Sequence, residues 1–139
     1  MRGTAGVDLL RRAKVEVLVA SASGSREILS SHKVHITADA LAEEVDYSDV
    51  DLVVLPGGIP GTPNLAANKT VTDTCVSFAK SGKKVAAICA APSVLASLGL
   101  LDGRKATAHA GFQDKLAGAE VLDTEVVVDG NTHHQLRSG

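Results

Sequence analysis

The stretch Lys83–Leu98, KKVAAICAAPSVLASL, decides how the rest of the chain is read. Two lysines lead into Val85-Ala86-Ala87-Ile88, a run of small and branched apolar residues that predicts a buried parallel strand. Cys89 follows between alanines. Pro92 then stands where a first helical turn tolerates a missing N–H, and Val94, Leu95 and Leu98 carry helical spacing. A strand running into a helix through a cysteine is the thiol version of a nucleophile elbow. Small neighbours (Ala87, Ala90, Ala91) let the turn be sharp, and the N–H groups opening the helix favour thiolate over thiol. The plainer reading is a small apolar cysteine buried at a strand end.

Composition narrows the classes. The 139 residues suffice for a single domain, 1–139, with its own core. Fourteen Lys+Arg against 16 Asp+Glu leave a net charge of -2, so no nucleic-acid or membrane partner is expected. Aromatics make up 2% with no Trp, which removes the stacking platforms that bind single strands. Cys75 and Cys89 form no CxxC, so neither a disulfide framework nor a metal site is expected. With no signal peptide and no long apolar span, the expected location is cytoplasmic.

Outward from the elbow, strands alternate with helices. Val7–Ala13 reads as a helix end and Lys14–Ala20 as a strand. Ser21–Ser31 reads as a loop or short edge hairpin, Val34–Ile36 as an edge strand, and Asp39 as the cap of a brief helical turn. Asp51–Leu55 is continuously apolar and is expected to be central and covered on both faces. The loop from Pro56 through IPGTPN precedes a helix capped by Asn68 or Thr70, on which Val71, Cys75 and Phe78 share a face. Cys75 is thereby assigned to the core. Lys105–Ala108 reads as a strand and Phe112–Leu116 as a helix, and Glu120-Val121 is expected to pair with Glu125–Val128. The pattern predicts an α/β fold, a mainly parallel sheet with Lys14–Ala20, Asp51–Leu55 and Val85–Ile88 parallel in it. The chain opens in a helix with no strand before it and closes in THHQLRSG, too polar and short for a covering helix, so it reads as a fragment or a shortened domain.

In open α/β sheets, sites lie beyond the carboxyl ends of strands. Two such ends are Leu55-Pro56-Gly57-Gly58 and Ile88-Cys89. The N–H groups of Gly58 and Ala90 are candidates for an oxyanion hole, although a Gly-Gly pair also serves merely as a turn. His109 stands past the strand KATA and is a candidate general acid or base. His32, His35, His133 and His134 show no partner pattern.

VVLPGGIPGTPNL (53–65), AAICAAPSVLASLGLLDGRKATAH (86–109) and FQDKL (112–116) together resemble the ThiJ/PfpI family, specifically its Parkinsonism-associated deglycase branch. The resemblance runs from VDLLRRAKVEVLVAS to VVVDGN, nearly the whole chain. It implies a flavodoxin-like, doubly wound sheet and commonly a homodimer. It also implies an elbow cysteine at Cys89, a backbone glycine at Gly58 and a histidine at His109. The implied activity is cofactor-free glyoxalase or deglycase chemistry on small aldehydes such as methylglyoxal or on early glycation adducts. The alternative is a redox-sensing or chaperone-like stress protein acting through oxidation of Cys89, or an inactive fragment of either. Two departures stand out. The family's glutamate in the turn after its first strand falls at Arg2, so that strand and acid are missing, and the last strand and helix give way to the polar tail.

Overall fold

The structure, a computed structural model, describes residues 2–30 and 32–135, without the side chains of residues 2, 3, 134 and 135. The chain forms two compact units, Met1–Asp46 and Tyr47–Gly139. Among the described residues, no helix is long and apolar enough to cross a membrane.

In the first unit, helix α1 spans Arg2–Arg12 and ends at Lys14, a non-glycine residue at φ 60°. The strand expected over Lys14–Ala20 is a correction: only Ala20–Ser21 (β1) is ladder-bonded. The reason lies in side chains that take the backbone groups first. Arg11 donates to Val17 O at 2.9 Å, and Asp39 Oδ2 accepts the Val19 N–H at 2.8 Å. Arg11 also pairs with Asp39 at 2.8 Å. The Val19 N–H, with help from Arg11, holds the Asp39 carboxyl below its usual range. Asp39 thus anchors the preceding segment and caps no helical turn. The expected edge hairpin is present as β2 (Glu27–Leu29) antiparallel to β3 (His35–Thr37). β4 (Ala40–Leu41) pairs parallel with β1 in a separate two-stranded ladder.

The second unit holds the main sheet. β5 (Leu52–Leu55) is followed by α2 (Gly61–Ala67) and α3 (Lys69–Ser81). Asn68 Oδ1 accepts the Val71 N–H at 3.1 Å, so Asn68, not Thr70, caps α3. β6 (Lys84–Ile88) leads through the elbow into α4 (Pro92–Ser97), with Pro92 in its first turn and Gly99 beyond it at φ 73°. β7 (Lys105–Ala106) precedes a 3-10 turn at Ala110–Lys115, then come β8 (Glu120–Val121), β9 (Val126–Asp129) and β10 (Thr132–Gln135). The sheet order is β5-β6-β10-β9, with only β9 antiparallel. β7 and β8 form a small parallel pair.

Three further expectations change. The polar tail supplies a strand: a Gly130-Asn131 turn, Gly130 at φ 60°, folds β10 back on β9 and against β6. Asn131 anchors this turn through its Nδ2, which donates to Ala79 O and Lys83 O. Glu120-Val121 pairs with β7, and Val126–Asp129 with β10, so those two segments do not pair with each other. β5 is the edge of its sheet and is covered on one face. Leu55, Val85, Ala87, Val127 and Thr132 are buried on that face, whereas Leu52, Val54, Val126 and Val128 on the other are exposed. An apolar run marks a strand but does not count the layers around it.

Candidate active site

The elbow forms where the spacing predicts. Cys89 is the first of the three residues between β6 and α4 and holds φ 63°, a left-handed conformation that a non-glycine residue keeps only when its surroundings impose it. Its neighbours supply the constraint: Ala91 N–H donates to Ile88 O at 3.1 Å, and Ser93 N–H to Ala90 O at 3.1 Å. Cys89 is half-buried. α4 itself is short, six residues from Pro92 to Ser97.

The β5 loop closes on this turn. A Cβ built on Gly57 would stand 2.5 Å from Ile88 O, 2.7 Å from Cys89 Cβ and 3.0 Å from Ala90 N. Only glycine permits that approach. Sequence reading singled out Gly58 and missed the part Gly57 plays; the signal was the Gly-Gly pair itself. Gly58 sits at φ 107° with open space where a Cβ would project. Neither the Gly58 nor the Ala90 N–H donates to a protein acceptor among the described residues.

His109 arrives from the third strand end. Its backbone N–H donates to Cys89 O at 2.8 Å, which ties the two chain segments together. Its imidazole caps the 3-10 turn, Nδ1 accepting the Gly111 N–H at 3.3 Å. A neutral ring bonded this way carries its proton on Nε2. Cys89 and His109 are therefore joined through backbone, with no hydrogen bond between Sγ and imidazole among the described residues. The side chain of Arg2, where the resemblance leads one to expect the family's glutamate, lies outside those described.

The remaining candidates separate cleanly. Cys75 is fully buried on α3 beside Val71 and Phe78, and burial pushes its thiol up to about 11. Among the described residues, no group of three or more His, Cys, Asp or Glu side chains gathers to hold a metal ion. His133 lies on β10, and the side chain of His134 falls outside the described ones.

Residues 2–133 match the DJ-1/PfpI family. The protein DJ-1 homolog B of Arabidopsis thaliana is 39% identical over 132 residues, 94% of this chain and 30% of its own length. A deglycase of Thermococcus kodakarensis is 42% identical over 118 residues, 84% of this chain and 70% of its own. The solved structure of oxidized Toxoplasma gondii DJ-1 superposes with a TM-score of 0.89 at 33% identity, covering 94% of this chain and 72% of that one. The chain thus spans about a third of the length of its Arabidopsis relative and nearly three quarters of the Toxoplasma one. The α/β fold is the flavodoxin-like fold of these neighbours, and the chain belongs to the DJ-1/PfpI family.

Proposed function

We propose that the protein acts on small reactive carbonyls through Cys89, without a cofactor. The observation that carries this reading is the strained Cys89 turn with the Gly57-Gly58 loop packed against it. The thiolate adds to the aldehyde carbon of a 2-oxoaldehyde such as methylglyoxal, forming a C–S bond and a hemithioacetal oxyanion. The Gly58 and Ala90 N–H groups stabilise that oxyanion. The hydrogen on the former aldehyde carbon leaves as a proton and returns to the adjacent carbon, with the His109 imidazole assisting the transfer. The result is a thioester of a 2-hydroxy acid. Water cleaves it, releasing the 2-hydroxycarboxylate and restoring the thiol, so atoms and electrons balance without an external oxidant.

The name of the Thermococcus relative supports a deglycase-type activity. The test is methylglyoxal consumption together with 2-hydroxy acid formation by the protein and by Cys89→Ser. Loss of both in the variant is expected, and an unchanged rate would overturn the reading.

A second reading has its own support: Cys89 is half-buried while Cys75 is sealed, and a relative has been solved in an oxidized form. Here Cys89 is oxidised by peroxide to sulfinate with no turnover. Arg2 at the position of the family glutamate favours it, because a guanidinium cannot shuttle a proton near neutrality. Peroxide titration with peptide mass mapping, run beside the methylglyoxal assay, separates the two. Oxidation without turnover favours the second reading, and resistance of Cys89 to oxidation rules it out.

A further inference from the structure

We propose that Ser93 is a positioning residue for the reaction at Cys89. Its hydroxyl holds the elbow backbone so that the Ala90 N–H stays aimed at the developing oxyanion. The proposal rests on the carbonyl chemistry put forward above and adds a residue that this chemistry leaves unassigned.

Two peptide planes meet at the Cα of Ala90. In the first, Cys89 O accepts the His109 N–H at 2.8 Å. That peptide is trans, so the Ala90 N–H on the same plane points away from the accepting carbonyl. In the second, the Ala91 N–H donates to Ile88 O at 3.1 Å. The carbonyl of that plane, Ala90 O, accepts both the Ser93 N–H at 3.1 Å and the Ser93 hydroxyl at 2.7 Å. The Ala90 N–H is left over: Ala90 is 2% exposed, and its N–H meets no protein acceptor among the described residues. A buried donor without a partner costs free energy, and a substrate oxyanion is the acceptor that completes it.

The hydroxyl bond is the shortest of those that fix the two planes. Serine hydroxyls in helices often bond a carbonyl one turn back, so spacing alone assigns Ser93 no role. Ser97 supplies the comparison within the same helix. Its hydroxyl donates to Val94 O, also three residues back and also at 2.7 Å. The two bonds match in length and spacing, but only that of Ser93 ends on an elbow residue. An oxyanion donor acts through its aim, and a small displacement costs much of its effect.

The test compares Ser93→Ala, Ser93→Thr and Ser97→Ala with the parent. In Ser93→Ala the kcat for methylglyoxal should fall about tenfold with KM within about twofold. Threonine keeps the hydroxyl and should restore kcat to within about threefold, and Ser97→Ala should match the parent. Iodoacetamide attack on Cys89 forms no oxyanion, so its rate should stay within about twofold in every variant. Both alanine variants should melt within about 5 °C of the parent. Where Ser93→Ala does not fold, Ser93→Val against Ser93→Thr makes the same comparison at matched shape. An unchanged kcat in Ser93→Ala overturns the proposal. So does an equal fall in Ser97→Ala, a threonine variant as slow as alanine, or alkylation that slows in step with turnover. A parent that consumes no methylglyoxal sinks the reading at Cys89 and this proposal with it. An active parent beside an equally active Ser93→Ala sinks this proposal alone.

Discussion

The backbone N–H of His109 donates to the carbonyl oxygen of Cys89 at 2.8 Å. Two segments twenty residues apart in sequence are thereby clamped one residue beyond the end of β6. The clamp is main chain to main chain, so it survives any side chain at position 109 other than proline. Positioning and chemistry at this residue can therefore be separated by substitution.

His109→Asn should leave the fold intact. Asn keeps the clamp and can still cap the 3-10 turn as the imidazole does toward Gly111. Stability is expected within about 1 kcal/mol of the parent by urea denaturation. Methylglyoxal turnover should fall by roughly 10²–10⁴-fold. A full rate in the folded variant would remove His109 from the proposed mechanism.

The two glycines should respond differently to alanine. Gly57→Ala forces a methyl onto Ile88 O and the Cys89 turn, costing about 1–3 kcal/mol and moving the elbow. Gly58→Ala meets no neighbour, and its cost is the strain of φ 107°, about 1–2 kcal/mol. Denaturant midpoints rank them, and iodoacetamide kinetics at Cys89 show which one disturbs the thiol. Slowed alkylation is expected for Gly57→Ala above all.

Cys75 makes a pH prediction. Burial raises its folded pKa from an ordinary 9.0 to about 11. Below about pH 9 both states keep the proton, and the full stability is present. Above it the unfolded chain releases the proton first, so stability falls until the folded thiol ionises near 11. At about 1.4 kcal/mol per pH unit, the loss reaches at most about 3 kcal/mol. Cys75→Ala should lose this component, seen as a shallower stability–pH slope between pH 9 and 11 than the parent's. At pH 7.5, iodoacetamide should label Cys89 and spare Cys75 until the protein unfolds.

Neighbouring valines on β9 should differ sharply. Val127 is 5% exposed and Val128 is 60%. Val127→Ala removes two buried methyl groups and leaves a cavity, a cost of about 2 kcal/mol. Val128→Thr should change stability by less than about 0.5 kcal/mol and improve solubility. Thermal melts and light scattering check both. Equal destabilisation would mean the exposed face is covered.

What the sequence determined by itself was local. Apolar β-branched runs predict β5 and β6, Pro92 and Gly99 bracket α4, and Asn68 starts α3, because each depends on conformational preferences over a few residues. Cys89 was legible for the same reason: strand, small residues, cysteine and proline suffice to spell an elbow. Partnership was not. Lys14–Ala20 has a strand's composition, yet Arg11 and Asp39 take backbone groups at Val17 and Val19, and Asp39 lies twenty residues beyond Val19. THHQ lacks a strand's apolarity and still becomes one, because the Gly130-Asn131 turn and the Asn131 side chain deliver it to the edge of β6. Gly57 against Cys89 exists only once separate segments meet. Preferences are written in neighbouring residues, whereas hydrogen-bond partners and contact distances are set by which distant segments the fold brings together.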